Sequence, residues 1–129
     1  MEFWIFMLLM VLLMPLIMII FGAIYKKRPP KNINLFSGYR TARSTSSREA
    51  WDFAHRTFGA LWFILGLSII LPFGLSMLFV LNKSVDEISA FGTVLVFLEF
   101  IPMILPIFIV EKKLKKNFDE NGNKINPKD

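Results

Sequence analysis

The sequence predicts an all-α integral membrane protein of three transmembrane helices, with an interfacial amphipathic helix in the first loop. Three observations carry that prediction. The chain has 129 residues, of which 54% are hydrophobic, and it holds fourteen Phe and seven Met. A chain this short cannot hide so much apolar surface from water, because its surface-to-volume ratio limits the core it can bury. Three long stretches, about 3–25, 58–81 and 88–110, are uncharged or carry a single ionisable residue, and each is long enough to cross about 30 Å of hydrocarbon. The fifteen Lys and Arg, which leave a net charge of +5, gather in two clusters beside those stretches. Such clustering reports membrane topology before it reports nucleic acid. Residues 1–111 therefore make one membrane domain, with a motif loop at 26–57, and residues 112–129 form a basic, disordered tail. There is no cysteine, which excludes disulfides and thiolate metal sites.

The first span, Phe3 to Tyr25, contains no charge and reaches roughly 33 Å as a helix at 1.5 Å per residue. A cleaved signal peptide needs a basic n-region and a small-residue cleavage site. Here Met1-Glu2 comes first and Lys26-Lys27-Arg28 comes last, so the segment reads as a retained span. Pro15 removes the hydrogen bond to the Val11 carbonyl, and a kink is expected there.

The first loop opens with Arg28-Pro29-Pro30-Lys31, which proline holds extended. Asn34, Ser37 and Gly38 then supply turn chemistry. The S-x-x-E pattern Ser46-Ser47-Arg48-Glu49 is a capping box that nominates Ser46 as the N-cap of a helix. In that helix Trp51, His55 and Phe58 share one face, while Arg48, Asp52 and Arg56 form a ladder on another. An amphipathic helix at the membrane surface is expected, with the Trp51 ring at headgroup depth, running on into the second span.

In the second span Gly59, Gly66, Ser68, Gly74 and Ser76 are small enough to let helices approach closely. Pro72 frees the Ser68 carbonyl. The third span carries Glu99 at its centre, about 16 Å along the helix from either end. Met14-Pro15 and Ser68 are expected at the same depth. A carboxylate there is costly unless protonated or paired, so Glu99 is a functional candidate. The expectation is a lock in which neutral Glu99 donates to a carbonyl freed by Pro15 or Pro72, or bonds the Ser68 hydroxyl; the sharper reading is a polar site for a ligand. Lys and Arg number eight in the first loop, one in the second, six in the tail and none at the N-terminus. That bias orients the loop and tail to the cytoplasm and the N-terminus outside.

Catalysis lacks parts. One His, no Cys and no carboxylate pair beside the His leave Ser-His-Asp, Cys-His and His-ligated metal arrangements incomplete. No enzyme activity, metal or cofactor is expected. Gly38-Tyr39-Arg40-Thr41 with Arg43 suits anion binding: glycine allows close backbone approach, and the two guanidiniums offer forked donors to a lipid headgroup or an acidic partner. The bland alternative is that these arginines only enforce topology and touch lipid phosphate generically. Direct nucleic-acid binding is discounted, since the basic loop is tethered to the bilayer.

Gly38-Tyr39-Arg40-Thr41, then Ser44, Trp51, His55, Arg56 and Gly59, resemble the signature of the SdpI/YfhL family of bacterial membrane proteins, in its short three-span form. The resemblance covers about 45 residues, from the first loop into the second span. It implies a multi-pass protein of the bacterial inner membrane that gives immunity to a secreted, membrane-active toxic peptide, and the family's best-known member also draws a repressor to the membrane. Carried over, Arg40, Thr41, Ser44, Trp51, His55 and Gly59 are the positions to test. The family pattern assigns no role to Glu99. Three functions are expected in order: an immunity or resistance protein binding a toxic peptide or a lipid it needs; a receptor whose basic surface captures a soluble regulator; and a small lipid-binding or enzymatic membrane protein using Glu99 and His55. A homo-oligomer is compatible with a bundle of so few interior positions.

Overall fold

The computed structural model describes residues 1–31, 33 and 38–125. Asn34 and Ser37, read as turn residues, lie outside them. Three helices follow in order: α1 over Glu2–Lys27, α2 over Arg48–Ser76 with a single 3-10 turn at Met77–Val80, and α3 over Val85–Asn117. Each is long and apolar enough to cross a membrane. No strand forms among the described residues; one isolated bridge joins Phe118 to Lys124.

Each helix starts and stops where its local chemistry directs. The Ser47 hydroxyl, not that of Ser46, accepts from the Ala50 N–H at 3.0 Å and caps α2. Ser46 instead donates to the Arg43 carbonyl at 2.6 Å and closes the preceding turn, which shifts the expected cap by one residue. The amphipathic stretch is the first turns of α2, continuous with the membrane-crossing part. Ser84 caps α3, Asp86 and Glu87 sit in its first turn, and Lys115 and Lys116 in its last, each charge matching the helix dipole. Helix α1 stays continuous through Pro15.

Helices α1 and α2 cross backbone to backbone. A Cβ on Gly22 would lie 2.5 Å from the Phe63 nitrogen, and one on Gly59 would lie 2.5 Å from the Lys26 nitrogen. Lipid offers little hydrophobic drive for helix association, so this close approach and its dispersion contacts hold the pair. Gly66 and Gly74 face α1 as expected, against Met18 and Leu12. Ser68 and Ser76 do not: their hydroxyls bond back to the Ile64 and Phe73 carbonyls of their own helix. Helix α3 runs parallel to α1, with Gly92 seated under Met7.

Two apolar clusters stabilise the ends. Tyr39, Ala50, Ala54, Phe58, Val110, Leu114 and Phe118 pack at the basic end, and Met7, Val11, Met77, Val80, Ile88 and Leu95 at the other. Of the tail expected to be disordered, the described residues 112–125 pack against the bundle instead. Helix α3 runs to Asn117, Phe118 is buried against Phe53, and the chain turns back through Gly122, whose absent Cβ leaves room for Ser46 and Ser47. Burying Phe118 in water-facing packing is worth roughly 1.5–3 kcal/mol, enough to order a short turn.

Candidate functional site

The motif loop is a strap fastened across the basic end of the bundle. Its first fastening is His55, on the second turn of α2 and fully buried. The Tyr39 backbone N–H donates to His55 Nε2 at 2.9 Å. A backbone amide can only donate, so Nε2 is unprotonated and the neutral ring carries its proton on Nδ1, which donates to the Trp51 carbonyl at 2.8 Å. Tyr25 packs edge-on to the ring at 5.2 Å and Trp51 lies 4.2 Å from it, centroid to centroid. The expected common face of Trp51, His55 and Phe58 is the buried one.

Gly38 is required by two independent constraints. Its φ is +87°, a region that side chains disfavour, and a Cβ there would stand 2.5 Å from His55 Nε2. Its close backbone approach is therefore to the histidine ring, not to an anion.

The second fastening is Glu111, at the basic end of α3. Tyr39 Oη donates to Glu111 Oε2 at 2.6 Å and Thr41 Oγ1 donates to it at 2.7 Å, across 72 and 70 residues of sequence. These are charge-assisted bonds. Burial first, then the hydrogen bond and charge of Glu111, push the Tyr39 phenol well above the ordinary tyrosine range, so it remains a donor. Ser44 is fully buried: its Oγ accepts from the Thr41 N–H at 2.8 Å, and the Thr41 hydroxyl accepts from the Ser44 N–H at 3.1 Å. That reciprocal pair fixes the turn over 41–44.

A third fastening joins Trp51 Nε1 to the Pro30 carbonyl at 2.8 Å. The indole, expected at headgroup depth, is fully buried in protein, and its N–H finds the loop carbonyl. Arg56 is exposed and reaches the Lys26 and Lys27 carbonyls at 3.3 Å, capping the C-terminus of α1. Arg48 pairs with Asp52 at 3.4 Å, and Arg56 leaves the expected ladder for α1.

Under the strap lies an open cleft of about 420 Å³. Its walls are Ile17, Phe21 and Tyr25 of α1, Phe58 and Trp62 of α2 and Ile107 of α3. Gly38, Tyr39, Arg40 and Thr41 form its lip. Arg40 is exposed and makes no ion pair among the described residues. Arg43, expected to converge with Arg40 on one anion, borders a separate depression with Ala42, Asp119 and Glu120. The two guanidiniums do not share a site.

Glu99 is fully buried at mid-bundle, and neither carboxylate oxygen has a hydrogen-bond partner. The expected lock does not form: Ser68 is exposed and turned to its own helix, and no freed carbonyl accepts from Glu99. Sequence reasoning missed Glu111, Pro30 and Gly22. Only Glu111 left a signal, as the carboxylate that opens a lysine run where helix-dipole complementarity favours cations.

A model of the SdpI/YfhL protein family matches residues 31–110. Over 53 residues the chain is 45% identical to a protein of Bacillus subtilis (strain 168) described as "Uncharacterized protein YfhL", which covers 41% of this chain and 48% of the relative. The chain thus spans about half the length of that curated relative. No solved structure matches. The matched stretch takes in every residue that fastens the strap except Pro30 and Glu111, and on that match the chain belongs to the SdpI/YfhL family.

Proposed function

We propose that this membrane protein confers immunity: it protects the cell that carries it against a secreted, membrane-active toxic peptide by engaging that peptide or a lipid the peptide needs, without catalysis. It sits in the bacterial inner membrane with the strap and tail in the cytoplasm and the N-terminus outside, following the bias of eight and six Lys and Arg against one and none. Family membership makes immunity the first reading. The observation that carries it is the strap itself: three separate fastenings hold Arg40, which makes no ion pair among the described residues, at the lip of an apolar cleft. His55 favours a holding role over a chemical one, since both ring nitrogens are committed to backbone groups.

The test is survival of a sensitive bacterial strain challenged with a secreted toxic peptide, with wild type, Arg40→Ala and His55→Ala at equal membrane levels. Protection by wild type that either substitution abolishes supports immunity. Absence of protection by wild type against every membrane-active peptide tried removes the reading. A second reading, capture of a soluble acidic regulator, is favoured by the exposed Arg43, Arg48, Lys112, Lys113, Lys115 and Lys116 at the same end. It predicts that such a regulator moves to the membrane fraction when the protein is present.

A further inference from the structure

We infer that the cleft under the strap is a binding site for one anionic phospholipid, its phosphate on Arg40 and one acyl chain between α1 and Trp62. The inference deepens the immunity reading by naming the ligand class of the same site. It is tested without toxin, so the two fail separately.

Three observations carry it. The first is placement. From Tyr25, beside the Lys26-Lys27-Arg28 exit, to Ile17 the cleft follows α1 for about 12 Å, from headgroup level into the acyl region. The second is access. Ile17, Phe21 and Ile107 line the cleft yet are 36%, 42% and 37% exposed, so it opens sideways to the bilayer rather than only to water. A cleft so placed is filled by lipid from the surrounding leaflet, at no cost of leaving the membrane.

The third is the chemistry of the lip. The Tyr39 and Thr41 hydroxyls are spent on Glu111, the Tyr39 N–H on His55 and the Thr41 N–H on Ser44. Among the described side chains of the lip, the Arg40 guanidinium is the donor left to face a ligand, and Lys26, Lys27 and Arg28 stand exposed at the same end. Arginine's fork matches phosphate oxygens two at a time, and the surrounding charge selects an anion over a zwitterion. The volume of about 420 Å³ falls within the usual range of ligand sites, roughly 300–1,000 Å³. It suits one chain and a glycerol phosphate rather than a whole helix.

The experiment is native mass spectrometry of the full chain, delipidated in detergent and then offered phosphatidylglycerol, phosphatidylcholine of the same acyl chains, or soluble glycerol phosphate. The expected result is one retained phosphatidylglycerol, favoured roughly tenfold over phosphatidylcholine, the worth of one charge-assisted contact. Arg40→Ala, an exposed position whose change leaves the helical circular dichroism intact, levels the two lipids. Ile107→Trp, filling the cleft, reduces retention of both, and Phe21→Ala keeps the lipid preference while weakening retention. Equal retention of the two lipids by wild type overturns the inference, as does an unchanged preference in Arg40→Ala. Displacement of phosphatidylglycerol by equimolar glycerol phosphate overturns the lipid source in favour of a free-phosphate site.

Discussion

Gly38→Ala tests the strap most directly, because two physical costs meet at one atom. The added Cβ holds φ at +87° against its own backbone, worth about 1–2 kcal/mol. It also stands 2.5 Å from His55 Nε2, so the loop must lift and the Tyr39 N–H loses its buried acceptor, a further 1–3 kcal/mol or so. The sum, roughly 2–5 kcal/mol, raises the open fraction of the strap about 30-fold or more. His55→Ala forfeits the same hydrogen bond and adds the loss of ring packing. In the double variant the shared bond is lost once rather than twice and the clash is gone. The two substitutions must therefore be non-additive by about 1–3 kcal/mol. Tryptic cleavage after Arg40 and Arg43 in protein reconstituted in lipid discs reads the opening equilibrium while the helices stay folded. Cleavage of Gly38→Ala at the wild-type rate would refute the account of Gly38. Additivity of the pair within about 0.5 kcal/mol would refute the pairing of Gly38 with His55.

Two further outcomes follow from the site. Glu99→Leu removes a buried carboxyl with no partner, so thermal stability in detergent should rise or hold, while Glu99→Gln, which keeps a polar group, should not gain; a loss of folding in the leucine variant would mean that Glu99 has a partner after all. Raising pH should loosen the strap only beyond the ordinary tyrosine range near 10. The docked phenol holds its proton more tightly than the free one, so the docked state binds more protons there and its stability falls as pH rises. Trp51 fluorescence between pH 8 and 12 should show that alkaline loss in wild type and not in Tyr39→Phe; an identical profile in both places the loss elsewhere.

The fold was legible because membrane physics leaves few choices. Three apolar runs, two uncharged and one broken by Glu99 alone, and their flanking cations specify the spans, and periodicity put Trp51, His55 and Phe58 on a common face, which the structure buries. The motif residues were legible as a group, yet their partners were not. Nothing local announces that Tyr39 and Thr41 meet Glu111, since the contact spans 72 and 70 residues and depends on how α3 leans on α2. Gly22 escaped notice for the same reason: a glycine in an apolar run shows its purpose only when Gly59 and Phe63 arrive beside it. The capping box erred by one position because Ser46 and Ser47 are chemically alike, and the better hydrogen bond for Ser46 lay with Arg43. Glu99 was expected to find a partner because isolated buried carboxyls are costly, and the helix rotations settled otherwise.

The three fastenings of the strap also set an order of assembly. During synthesis Tyr39 meets His55 within 16 residues and Pro30 meets Trp51 within 21, but Glu111 emerges 72 residues after Tyr39. At ordinary translation rates that interval is roughly 4–14 s. For that time the strap hangs from α2 alone, its tyrosine and threonine hydroxyls unclaimed, while α3 is still being made. The basic end of the last helix is thus the latch, and a ribosome paused before residue 111 leaves a chain whose first two helices are made and whose site is not yet closed.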